Sequence, residues 1–100
     1  MPRKKEYNRM TNRSRTVIGY ITVGMERDLG YAPYYTKVSA SVDSDSVHSS
    51  KGWAFKSLED GWEAYLLAIR QAKRTDMMTE SLFEQVCFAI NTVYSESVNR

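Results

Sequence analysis

Residues Thr16–Val23 read TVIGYITV, and the parsing of this stretch decides the fold. Apart from Gly19, every side chain in it is β-branched or aromatic, and Gly24 follows, so it reads as one strand closed by a turn. On its C-terminal side, Gly24–Pro33 (GMERDLGYAP) mixes two glycines and a proline with charge, which predicts a loop of about ten residues. From Tyr34 to Val42 the chain alternates: Val38, Ala40 and Val42 fall on one face, Tyr35, Lys37, Ser39 and Ser41 on the other. That period of two marks a half-buried antiparallel strand. The small polar run DSDSVHSS then separates it from a short aromatic segment, Lys51–Lys56, read as the third strand.

Ser57 followed by Leu58, Glu59 and Asp60 is close to a capping box and starts a helix. Leu58, Trp62, Tyr65, Ile69 and Ala72 recur at helical spacing with Leu66 beside them, while Arg70, Lys73 and Arg74 complement the C-terminal end of the macrodipole. Gly61 inside the first turns costs ~1 kcal/mol relative to alanine, which implies close packing there. After the break RTDMM, Thr79 can cap a second helix running to about Val98. Its stripe is Leu82, Val86, Ala89 and Val93, widened by Phe83, Ile90 and Tyr94. The expected architecture is α+β: a three-stranded antiparallel sheet with two C-terminal helices packed on one face, in the order βββαα. One such domain spans residues 16–98. Ala64, Leu67, Ala68, Cys87 and Phe88 fall off the two stripes; contact with both sheet and neighbouring helix would cover them, and so would a homodimer through the helices.

On the N-terminal side of TVIGYITV, Arg3, Lys4, Lys5, Arg9, Arg13 and Arg15 face only Glu6, so residues 1–15 form an arm of +5. The other 85 residues hold eight basic and eleven acidic side chains, a body of −3. A basic arm without apolar periodicity gains affinity for phosphates through counterion release, and orders on a partner. The alternative is a solvated tail that aids solubility.

The longest apolar run, Ala64–Ile69, has six residues, so no membrane span is expected, and no apolar stretch follows the charged N-terminus as in a secretory leader. A cytoplasmic location is the default expectation. Cys87 alone makes no internal disulfide and, with His48, no metal site. Asp43 and Asp45 lack the remaining ligands of a calcium loop, His48 has no marked acid or nucleophile beside it, and Cys87 reads as a buried inert thiol. The sequence therefore predicts no catalytic residues, no metal and no cofactor. Two surfaces stand out. Tyr35 and Lys37, set beside Ile18, Tyr20 and Thr22 with Lys56 near the edge, would give an outer sheet face able to stack on bases and attract phosphates; ordinary cross-strand pairing explains the same residues. Tyr31, Tyr34 and Tyr35 flank the long loop as in protein contact sites. Trp53, Phe55, Trp62 and Tyr65 read as core, with the choice between Trp53 and Ala54 as the outward residue left open.

The segments PRKKEYNRM, YYTKVSASV and KGWAFKSLEDGWEAYLLAIRQAKR together resemble phage integrase arm-binding domains and plant ethylene-response DNA-binding domains, across residues 3–74. The resemblance implies a three-stranded sheet that enters the major groove, with Tyr35, Lys37 and Trp53 at the contacting positions. This sheet departs from those families in lacking several arginines, and the second helix is additional. The expected function is a small non-catalytic DNA-binding or nucleoprotein accessory factor. The alternative is a protein-binding inhibitor or adaptor of phage or mobile-element type, acting through the acidic body and the tyrosine-rich loop.

Overall fold

The computed structural model describes residues 13–28, 35–43, 48–74 and 80–99. Its elements are β1 (Arg13–Ile18), β2 (Ile21–Asp28), β3 (Tyr35–Asp43), β4 (His48–Phe55), α1 (Leu58–Lys73) and α2 (Glu80–Val98). The fold is α+β with an antiparallel sheet and two helices, but the sheet has four strands, in the order β1-β2-β3-β4, where three were expected.

The extra strand comes out of TVIGYITV. Gly19 adopts φ 60°, and no other described residue has positive φ, so Gly19-Tyr20 has the pattern of a type II′ turn with glycine at its first central position. The stretch is therefore two strands paired Thr16↔Val23, Val17↔Thr22 and Ile18↔Ile21. The backbone N–H of Asp43 donates to the Tyr20 carbonyl at 3.1 Å, tying the turn to the end of β3. Two further boundaries move with it. Gly24–Asp28, expected in a loop, continues β2 and pairs with β3, while His48–Ser50 open β4 and pair back to Asp43, Val42 and Ser41. The domain also starts before residue 16, because Arg13–Arg15 belong to β1.

Alternation along the strands puts Ile21, Val23, Met25, Val38, Ala40, Val42 and Phe55 on the face covered by helices, all buried. Ser57 is the N-cap of α1, its Oγ accepting from the Asp60 N–H at 3.0 Å, as the sequence predicts. The face α1 presents coincides with the expected stripe at Tyr65 and Ala72 and is shifted from it elsewhere. Its buried residues are Gly61, Ala64, Tyr65, Ala68 and Ala72, whereas Leu58, Trp62, Leu67 and Ile69 are partly buried around them. The small side chains let the helix axis approach the sheet. A Cβ on Gly61 would stand 2.5 Å from Thr36 Cγ2, so the packing inferred from Gly61 is real, and Thr36 is 1% exposed beneath it. One turn on, the Tyr65 hydroxyl shares a 2.8 Å hydrogen bond with Thr16 Oγ1, anchoring the face to β1.

α2 buries Leu82, Phe83, Val86, Cys87, Ile90 and Val93, and Tyr94 meets Phe55 edge-on with ring centroids 5.6 Å apart. Each helix touches both the sheet and the other helix, and the Gln71 amide donates to Gln85 Oε1 at 3.0 Å across the helix pair. This covers Ala64, Ala68 and Cys87 without a second chain, but leaves Phe88 outside, 73% exposed. The expected Thr79 cap lies outside the described residues.

Candidate nucleic-acid interface

The helices cover one face of the sheet and leave the other open. Strand register fixes what that open face carries. One cross-strand row runs Arg15, Gly24, Ser39, Gly52; the next runs Val17, Thr22, Ser41, Ser50; and on the other side Glu26, Lys37 and Ala54 lie opposite one another. The floor is therefore glycine, serine and threonine, with longer side chains only at its margins. Ser39 Oγ would lie 3.4 Å from a Cβ at Gly24, and the Lys37 stem crosses Gly52, its Cε 3.6 Å from the Cβ position there. The result is a shallow trough of about 570 Å³. Arg15 ends the floor row on β1, Glu26 and Lys37 stand in the row beside it, and Asp43 and His48 lie at the other end, the last two 3.9 Å apart and exposed.

Of the residues expected to contact nucleic acid, the structure brings Arg15 and Lys37 onto this face, both exposed, with Tyr35 two positions along β3 from Lys37 and half-buried. Arg13 opens β1 opposite Glu26. Arg3, Lys4, Lys5 and Arg9 lie outside the described residues, as do Tyr31 and Tyr34 of the tyrosine-rich loop. Three expected neighbours are displaced. Ile18 pairs with buried Ile21 and packs on the core, so it is on the helix-covered side. Tyr20 sits in the hairpin turn, exposed at its tip. Trp53 lies opposite buried Val38, also beneath the helices, and Ala54 is the outward residue, so the groove-contacting position implied for Trp53 is not on the open face. Single-sequence reading missed the Gly24–Ser39–Gly52 floor. By its sequence Gly24 reads as the start of a loop, and the row exists only through the register of three strands.

Among the described residues, no three of His, Cys, Asp and Glu converge to hold a metal ion. Burial pushes the Cys87 thiol above its ordinary value, Glu84 adding to the rise and Lys51 opposing it, the reverse of what activates a nucleophile. No described helix is long and apolar enough to cross a membrane. Comparison of the chain with protein-family models, curated proteins and solved structures gives no match.

Proposed function

We propose that the protein binds nucleic acid, the basic N-terminal arm neutralising phosphates while the open face of the sheet lies against the backbone. One observation carries this reading. The arm's sequence of cations runs directly into β1, which sets Arg15 on the open face in the same row as the Gly24–Ser39–Gly52 floor, with Lys37 in the next row. A floor without bulky side chains admits close approach of a sugar-phosphate backbone, and the cations at its margin supply charge-assisted bonds. The face itself is nearly balanced, since Glu26 and Asp43 offset Arg15 and Lys37, so the arm supplies most of the attraction. Of the tyrosine-rich loop, only Tyr35 lies among the described residues.

The test is fluorescence anisotropy of the full chain against labelled duplex and single strands over a salt series. Neutralising about five phosphates gives a slope of log affinity against log salt near −4 to −5. Replacing Arg3, Lys4, Lys5 and Arg9 together by glutamine removes most of the binding, and Arg15→Ala or Lys37→Ala each lowers the slope by about 1. Deletion is confined to residues 2–12, because residues 13–15 are part of β1. A full-length chain indifferent to both kinds of oligonucleotide at low salt overturns the proposal.

A further inference from the structure

β4 is an edge strand, with β3 on one side and no described strand on the other. Beside that edge, between β4 and α2, runs a groove of about 570 Å³ lined by Lys51, Gly52, Trp53, Glu84, Cys87, Phe88 and Asn91. Its walls are apolar where Trp53, Cys87 and Phe88 meet. The Trp53 indole N–H donates to Asn91 Oδ1 at 3.4 Å, holding the ring along the groove. Phe88 is the most exposed large apolar side chain described, and it stands at the rim. An unpaired edge next to an exposed aromatic is a surface that proteins normally cover.

We propose that a second copy of this chain covers it, β4 pairing antiparallel with the partner's β4 across a two-fold axis and each Phe88 entering the groove of the other copy. The choice of occupant follows from the charges. Lys51 projects on the helix side of β4, since it pairs with buried Ala40, and a cation there deters indiscriminate edge-to-edge pairing. The deterrent is lifted only by a partner that brings an acid to it. Glu84 stands exposed across the same groove, so the patch carries one charge of each sign and is its own complement: a two-fold axis sets each Lys51 beside the Glu84 of the other copy. β1, into which the basic segment runs, is the opposite edge of the sheet, so joining through β4 leaves the two β1 strands at the far ends of the combined sheet. In the resulting eight-stranded sheet the two β1 edges lie seven strand spacings apart, about 34 Å at roughly 4.8 Å each, which matches one turn of B-form DNA. That last consequence rests on the nucleic-acid reading; the dimer does not.

The test is sedimentation equilibrium of the full chain without nucleic acid, so its outcome is separable from the binding experiment above. The expected mass is twice the 11.5 kDa of the chain. Phe88→Glu raises the dimer Kd by roughly 30-fold or more, with circular dichroism and Tm unchanged when measured at monomer concentrations. K51E and E84K, studied separately, are each monomeric, because each sets like charges against one another in a homodimer. Mixed in equal amounts they form a heterodimer, in which both pairs are again opposite in sign. A wild-type chain that stays monomeric at high concentration, a dimer indifferent to Phe88→Glu, or a mixture of K51E and E84K that remains monomeric overturns the proposal.

Discussion

The two faces of the sheet are made from alternate residues of the same strands, yet they obey different rules. On the covered face, Val23, Val38 and Ala40 are fully buried and the helix above lies so close that Gly61 admits no side chain over Thr36. On the open face, Gly24, Ser39 and Gly52 sit at neighbouring register positions, and a Cβ on either glycine would meet sheet neighbours only at ordinary contact distances of 3.4–3.8 Å. Both faces use small residues, for opposite reasons. Gly61, Ala64 and Ala68 are small so that two layers can touch, whereas Gly24, Ser39 and Gly52 are small where no second layer of the described chain covers them and the nearest side chains, Ser39 and the Lys37 stem, belong to the same sheet. Stability therefore resides on one face, and the other can change with little thermodynamic penalty.

The sharpest break of that contrast is Phe55→Ala, which removes a buried ring from the Tyr94 contact. It should cost about 3–5 kcal/mol by denaturant unfolding. Val17→Ala, 58% exposed on the open face, should cost less than ~0.5 kcal/mol in the same assay. The paired glycines come next. Gly61→Ala should destabilise by about 1–3 kcal/mol despite alanine's better helix propensity, because its Cβ would overlap Thr36, whereas Gly24→Ala should stay within about 0.5 kcal/mol. Equal effects of the two substitutions would erase the distinction between the faces. Ser57→Ala should cost ~1 kcal/mol through the lost cap, leaving the open face and any oligonucleotide affinity unchanged. The smallest effect concerns Cys87. Since burial raises its pKa, less thiolate is present at neutral pH than for a free cysteine, so alkylation by iodoacetamide should be slow in the native state and fast after unfolding. The same sign means that the thiol favours the fold below its unfolded pKa, and that this contribution fades as pH rises through the folded one. Rapid native labelling at neutral pH would contradict the burial assigned to this helix face.

The elements that were legible in the sequence carry their signal locally. The alternation Val38, Ala40, Val42 and the Ser57 cap hold because period two and an N-cap hydroxyl act within a few residues. The hairpin in TVIGYITV was hidden because β-branched residues flank Gly19 on both sides and Gly-Tyr is a weaker turn signal than Asn-Gly or Asp-Gly; propensity alone cannot tell one strand from two. The face of α1 is legible only at Tyr65 and Ala72, for a related reason. Counting large apolar residues favours Trp62, Leu58 and Ile69, but a helix that approaches a sheet closely seats its smallest residues at the contact and its larger ones at the margins. Of the candidate site, Lys37 and Tyr35 were visible from alternation within β3, while the trough needed three strands in register.

By itself the sequence determined the class of fold, the two helices and their amphipathic character, and the concentration of positive charge in the first fifteen residues, since these depend on composition and on periods within single segments. Only the tertiary structure decided the number of strands, the side of the sheet on which Trp53 and Ile18 fall, and the exposure of Phe88 beside the β4 edge. These depend on register and on the distance between layers, quantities set jointly by residues far apart in the chain.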